Sequence, residues 1–313
     1  MTLSGREIHK KDIVGVVCHD AGGAEVVSEW LLQSGLDFCC CLAGPALDIF
    51  RRKFEVINNT SLDLLVNQSD WLLCGSSWQS DLEKQAIKYS IKSQKYAVVC
   101  LDHWVNYEDR FIADGALTLP NELWVCDNYA YEIATELFPG VAIKIIDNPY
   151  LQKIKLDLAT AFSDENDTDI DILYVCEPIR EHAKIKYGDE YFLGYTEESA
   201  LNFFFENIGL LPFNVSRVIV RPHPSDPSGK YDWVLNYKTD LLDITIGGGS
   251  TLISEIIRSK CIVGCESMAM VVGILAGKII YSSIPNEGRS CELPHKEILT
   301  LASIVSKKEA KYD

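Results

Sequence analysis

A β-branched run, Ile13-Val14-Gly15-Val16-Val17, leads into a turn of small and polar residues, His19-Asp20-Ala21-Gly22-Gly23. Val26, Val27, Trp30, Leu31 and Leu32 then follow at helical spacing, before a stop at Gly35. A short continuous apolar run is a parallel strand buried on both faces. Strand, small-residue turn and helix is the repeating unit of a doubly wound α/β fold. The unit recurs at Asp37–Leu42 before Gly44-Pro45, at Trp71–Cys74 before Gly75-Ser76-Ser77, and at Tyr96–Leu101 before Asp102-His103-Trp104. Leu123–Cys126 and Val141–Ile146 complete six strands, enough for one Rossmann-like domain.

A second cycle starts at Ile172–Cys176, which ends in Glu177-Pro178. It continues through a helix at about Thr196–Ile208, with Ala200, Leu201, Phe203, Phe204 and Phe205 on one face. Strands Arg217–Val220, Leu242–Ile246, Cys261–Gly264 and Lys278–Ser282 follow, and a helix at about Lys296–Ser306 closes the chain. A length of 313 residues exceeds what one core serves, and two domains of roughly 150 residues are expected. The boundaries read as 1–157 and 171–313, with a linker at about 158–170 rich in Asp, Thr, Ser and Asn. Two such sheets are expected to face a central cleft with their carboxyl ends, where ligands of parallel sheets bind.

The charge balance, 29 Lys+Arg against 45 Asp+Glu for a net −16, argues against nucleic acid or an anionic membrane as a partner. The eleven cysteines form no Cys-x-x-Cys pair and sit mostly in apolar runs, as in a reducing cytosol. Ala269–Ile284, the longest apolar region, is interrupted by Lys278 and falls short of the ~20 residues of a membrane span. The N-terminus, Met1 to Lys11, is polar and without a signal-peptide core. A soluble cytoplasmic protein is expected, with peripheral membrane association left open. No metal site is expected, because the six His do not lie at ligand spacing beside Cys pairs.

The residues to weigh for chemistry follow the strands. Asp20 stands before two glycines, as a base or as a helix N-cap. The stretch Asp102 to Phe111 crowds Asp102, Glu108 and Asp109 beside His103 and Trp104, which suits a sugar-handling wall. In Arg221-Pro222-His223-Pro224, two prolines stiffen the turn that carries the imidazole. Gly248-Gly249-Ser250-Thr251 and Glu266-Ser267-Met268 open helices, where hydroxyls and backbone N–H groups either meet a phosphate or simply cap. Met270, Val271 and Leu275 read as core, and Arg51-Arg52-Lys53 as a solvated face.

With His223-Pro224 after one strand and Glu266-Ser267 at a later helix start, the chain resembles bacterial glycosyltransferases of the two-Rossmann GT-B type. It is most similar to the sialyltransferase-like and Kdo-transferase-like enzymes that use CMP-activated ulosonic acids. The resemblance implies an N-terminal acceptor domain and a C-terminal nucleotide-sugar domain. It implies inverting, metal-independent, cofactor-free transfer to a glycan or lipid-linked glycan acceptor in polysaccharide biosynthesis. It implies that His223 and Ser267 contact the CMP phosphate. Arg221, Pro224, Gly249, Ser250, Thr251, Glu266, Met268 and Glu177 line the same donor site. The acidic-acidic-Gly motif that carries the base in those families is absent as written. Asp102 stands in by strand order, with Asp20 and Glu108 as rivals. The alternatives are a UDP- or dTDP-hexose transferase, a UDP-sugar 2-epimerase of the same fold with Glu255 or Glu266 near the ribose, or a non-catalytic GT-B-like module.

Overall fold

The computed structural model describes residues 3–164 and 169–309, and the chain divides into two units, Met1–Lys153 and Ile154–Asp313. The strands of the first unit are β1 (Ile13–Cys18), β2 (Asp37–Leu42), β3 (Trp71–Cys74), β4 (Ala97–Cys100), the short pair β5 (Ile112–Ala113) and β6 (Ala116–Leu117), β7 (Glu122–Val125) and β8 (Ala142–Ile145). Its helices are α1 (Ala21–Ser34), α2 (Pro45–Lys53), α3 (Leu62–Gln68), α4 (Leu82–Lys92) and α5 (Asn128–Leu137); α6 (Pro149–Asp164) runs on into the second unit. The main sheet is parallel, in the order β2-β1-β3-β4-β7-β8. Residues 58–60 bind the outer edge of β2 as a rudimentary further strand. Cys40 donates its N–H to the Asn58 carbonyl at 3.1 Å and accepts from Thr60 at 2.8 Å. The continuous apolar runs of β1, β3 and β4 are buried on both faces, as parallel strands under helices must be. Beneath them Trp30 packs against Trp71 and Trp124, with ring centroids 5.9 and 5.2 Å away.

The second unit holds β9 (Ile170–Val175), β10 (Arg217–Arg221), β11 (Asp243–Ile246), β12 (Ser259–Gly264), β13 (Ile279–Ser282) and β14 (Ile298–Thr300). Its helices are α7 (Ile179–Tyr187), α8 (Glu197–Asn207), α9 (Leu252–Arg258), α10 (Met268–Leu275) and α11 (Leu301–Glu309). All strands are parallel in the order β11-β10-β9-β12-β13-β14, the Rossmann arrangement with its reversal between β9 and β12. In the first unit the order reverses between β1 and β3. α8 starts on a capping box, in which Thr196 accepts from the Ser199 N–H and Ser199 from the Thr196 N–H.

Three sequence expectations need correction. Residues 158–164 of the expected linker are the end of α6, residue 170 already belongs to β9, and 165–168 lie outside the described residues. The closing helix begins at Leu301 and not near Lys296, because Ile298–Thr300 pairs with the open edge of β13. The helix after the triple glycine begins at Leu252 rather than Ser250, with Thr251 as its cap. Among the described residues, no helix is long and apolar enough to cross a membrane.

Candidate functional site

In each unit the residues singled out by sequence stand beyond the carboxyl ends of the strands, the ligand edge of a parallel sheet. In the first unit, the loops after β1, β3 and β4 meet. Asp102 follows β4, where its Oδ1 accepts from the Arg110 guanidinium at 3.1 Å and from the Ser76 hydroxyl at 3.1 Å. Arg110 also donates to the Ser76 hydroxyl and carbonyl, at 2.7 and 3.1 Å. The other oxygen, Oδ2, lies against Gly22, so close that a Cβ there would stand 2.0 Å from it. This carboxylate thus pins the β4 loop to the start of α1, and its charge is matched by a guanidinium whose side chain is only 6% exposed. Glu108, in the turn before Arg110, is exposed. Trp104 donates its indole N–H to Asp127, which in turn caps α5 through the Ala130 N–H.

Asp20 occupies the N-cap position of α1, yet its side chain caps nothing there. Its Oδ1 accepts from His19 Nδ1 at 2.7 Å, and both side chains are about a quarter exposed, 27% for His19 and 25% for Asp20. The imidazole lies over Gly44. A Cβ at that residue would stand 2.7 Å from Nε2, and φ of 51° is the left-handed region that a side chain disfavours. Below the ring, Glu83 accepts the His19 backbone N–H at 2.6 Å. Among the described residues the second Glu83 oxygen is buried without a partner, and burial pushes this carboxyl up to about 7. Glu83 had no signal in the sequence, and Gly44, Ser76 and Arg110 were visible only as members of the segments after strands, with no role attached. His19 was visible only as a neighbour of Asp20.

In the second unit, the turn after β12 is already filled from within. Glu177, at the end of β9, accepts the N–H groups of Cys265 and Glu266 at 3.0 and 2.9 Å. Burial, with the Glu266 carboxylate nearby, pushes Glu177 up to about 8 against those donors. Glu266 accepts from Arg289 at 3.1 Å and from the Glu292 N–H at 3.1 Å. Ser267 caps α10, accepting from Ala269 at 3.1 Å, and Met268 is the first residue of that helix. The hydroxyl of buried Tyr195 has no hydrogen-bond partner among the described residues, and the charges acting on it include Glu266, Glu177 and Arg289. Ser267→Ala should lower stability by about 1 kcal/mol, the ordinary worth of an N-cap. Unchanged unfolding by denaturant would show that the hydroxyl does not serve as the cap.

At the end of β10, Arg221 pairs with Glu255 at 2.7 Å and donates to the Ser250 carbonyl at 3.0 Å. The other Glu255 oxygen takes the Gly248 N–H at 2.9 Å, so one buried carboxylate ties β10 to the glycine turn. Gly249, Ser250 and Thr251 are exposed, and Thr251 accepts from Ser254 as the cap of α9. His223 is fixed by its own turn before Pro224. Its N–H donates to Asp226 at 2.8 Å, and its Nδ1 accepts the Ser225 N–H at 3.2 Å. With Nδ1 an acceptor, Nε2 carries the ring proton. Burial lowers the pKa of this imidazole and favours the neutral ring. A cavity of about 440 Å³ lies at the carboxyl ends of β13 and β14, with Ser290, Cys291, Thr300, Ser303 and Lys307 in its wall. No group of three or more His, Cys, Asp or Glu among the described residues is placed to hold a metal ion.

No family model matches this sequence, and no curated protein does. Solved structures are similar over nearly the whole chain. A putative UDP-N-acetylglucosamine 2-epimerase from Listeria monocytogenes matches 96% of this chain and 87% of its own, at TM-score 0.62 and 9% identity. The UDP-GlcNAc 2-epimerase of Methanocaldococcus jannaschii, in complex with UDP-GlcNAc and UDP, matches 94% of this chain and 92% of its own, at TM-score 0.55 and 10% identity. The E. coli heptosyltransferase WaaC matches 96% of this chain and 100% of its own, at TM-score 0.44 and 9% identity. The chain has the two-domain α/β fold of the GT-B class.

Proposed function

We propose that this chain is an enzyme acting on a UDP-hexose, with 2-epimerisation as its reaction. The observation that carries this reading is the fold shared across both domains with proteins described as UDP-GlcNAc 2-epimerases, one of them holding UDP-GlcNAc and UDP. Fold alone does not assign chemistry, so the residues must supply it. His223 offers a neutral Nε2–H donor to a phosphate oxygen at the end of β10. Glu266, held by Arg289 and the Glu292 N–H, is the carboxylate at this edge for a ribose or hexose hydroxyl. The cavity beside β13 and β14 adds hydroxyls and Lys307 on the same edge.

Transfer of an ulosonic acid from CMP, the reading that His223-Pro224 and Ser267 first suggested, keeps His223 as its support. It is weaker at Ser267, whose hydroxyl caps α10. It is also weaker at the α10 turn, whose N–H groups are occupied by Glu177. Hexosyl transfer from UDP would use the same donor site with a glycan acceptor.

A thermal-unfolding panel of UDP, CMP, dTDP and GDP separates these readings, because a ligand of the native state at 100 times its Kd adds about 2.7 kcal/mol. UDP should stabilise and CMP should not; stabilisation by CMP alone would sink the UDP reading. Incubation with UDP-GlcNAc, followed by NMR, should show the 2-epimer forming without acceptor. UDP appearing only when an acceptor is added would mean transfer, and binding without turnover a non-catalytic module.

A further inference from the structure

We propose that His19, held by Asp20, is the proton-transfer residue of the N-terminal domain, and that Asp102 is a structural strut. The inference rests on the UDP-hexose reading for its substrate, but its geometry stands within one domain.

Three carboxylates compete for this role, and the structure separates them. Asp102 is bound to Arg110 and Ser76 through one oxygen and packed against Gly22 with the other. A carboxylate that neutralises a buried guanidinium gives up that pairing if it takes a proton. Glu108 is exposed, beyond the loop that Arg110 anchors. Asp20 is the one of the three that stands at a helix N-cap, and it makes no cap bond there. At an N-cap, an aspartate side chain ordinarily accepts a hydrogen bond from the first turn of the helix. Here it forgoes that bond and turns to the His19 ring. A group that gives up a local stabilising contact for a polar partner at a ligand edge marks a functional placement.

The consequences for the imidazole follow from the partners. A carboxylate only accepts, so Nδ1 carries the proton in the neutral ring and the lone pair is on Nε2. The ring is held at three places: Nδ1 by Asp20, the backbone N–H by Glu83, and the face by the glycine surface at residue 44. Nε2 takes a proton as a substrate O–H or C–H bond breaks, leaving the electron pair on the sugar; where C2 inverts, the new C–H proton arrives on the opposite face from water or another acid, and His19 then gives its proton up to solvent. The residue gains and loses one proton per turnover, and Asp20 stabilises the intervening imidazolium. His19 is the group placed to touch substrate. Asp20 is a positioning residue.

The test uses the whole chain with 15N-labelled histidine. At pH 8, the His19 15N shifts should report the Nδ1–H tautomer, and Asp20→Asn should shift the ring toward Nε2–H. An Nε2–H tautomer in the unaltered protein overturns the dyad whatever the substrate is. Diethylpyrocarbonate should modify Nε2 of His19, located by peptide mapping, and UDP-GlcNAc should slow that modification at least fivefold. His19→Gln and His19→Ala should each lower turnover of UDP-GlcNAc by 100-fold or more while stabilisation by UDP is retained. Wild-type turnover in both variants overturns the assignment. Absence of UDP stabilisation in the unaltered protein instead overturns the UDP reading, and the tautomer measurement still decides the dyad.

Discussion

Arg110→Met should destabilise the first domain by about 3–5 kcal/mol, the cost of leaving a buried charge without its partner. The Arg110 side chain is 6% exposed and that of Asp102 13%, so water cannot take over when the guanidinium is gone. The loss extends beyond the pair. Arg110 also holds the Ser76 hydroxyl and carbonyl, so the β3 and β4 loops come loose together. Replacing both members, with Arg110→Met and Asp102→Leu, should recover part of the loss, because no unpaired charge is then buried, while the Ser76 hydroxyl and carbonyl still lose their Arg110 donor. Guanidinium unfolding followed by tryptophan fluorescence is the appropriate measurement, since Trp30, Trp71 and Trp124 pack in this domain's core. A single variant within 1 kcal/mol of the unaltered protein would show that Asp102 is not a strut, and would return it to the list of bases.

The sequence carried the two-sheet architecture because strand burial and turn chemistry are local. The runs at Ile13, Trp71 and Ile172 can be buried on both faces only in parallel sheets, and each is a strand. His223 between two prolines was equally legible. What failed to show was set by distant partners. Glu83 sits in the first turn of α4, where an acid is normally solvated and favoured by the helix dipole. Only the arrival of the β1 turn, 64 residues away, buries it. Glu177 reaches the N–H groups of residues 88 and 89 positions later, so the α10 turn, which looked like an open phosphate cradle, holds an internal carboxyl. Asp102 and Asp20 were both visible as acids after strands. Choosing between them needed Arg110 beside one and the missing helix cap at the other.

Between pH 5 and pH 8 the protein should lose stability, on the order of 3 kcal/mol for each of two buried carboxyls. Glu83 is raised to about 7 and Glu177 to about 8, both chiefly by burial. A carboxyl raised on folding binds its proton more tightly in the native state than in the unfolded one. Its contribution is therefore complete below the unfolded value near 4.5 and is lost as pH rises through the folded value. Carboxylates lowered by their partners, such as Asp171 at about 2 beside Ser216 and Lys260, act outside this window, since their stabilisation is lost only as pH falls below the ordinary carboxylate range. The cysteine thiols are raised above their ordinary value of 9.0 and respond only at higher pH. His223, lowered by burial from its ordinary 6.5, works in the opposite sense at the acid end of this range and trims the slope without reversing it. Glu83→Gln and Glu177→Gln keep a carbonyl oxygen for the bound N–H groups and remove the titration. Each variant should flatten its share of the decline, measured as unfolding free energy at pH 5, 6, 7 and 8. The Glu83 share falls mainly below pH 7 and the Glu177 share extends to pH 8, so the two are separable. A decline of undiminished slope in both variants would mean that neither carboxyl holds its proton in the folded protein.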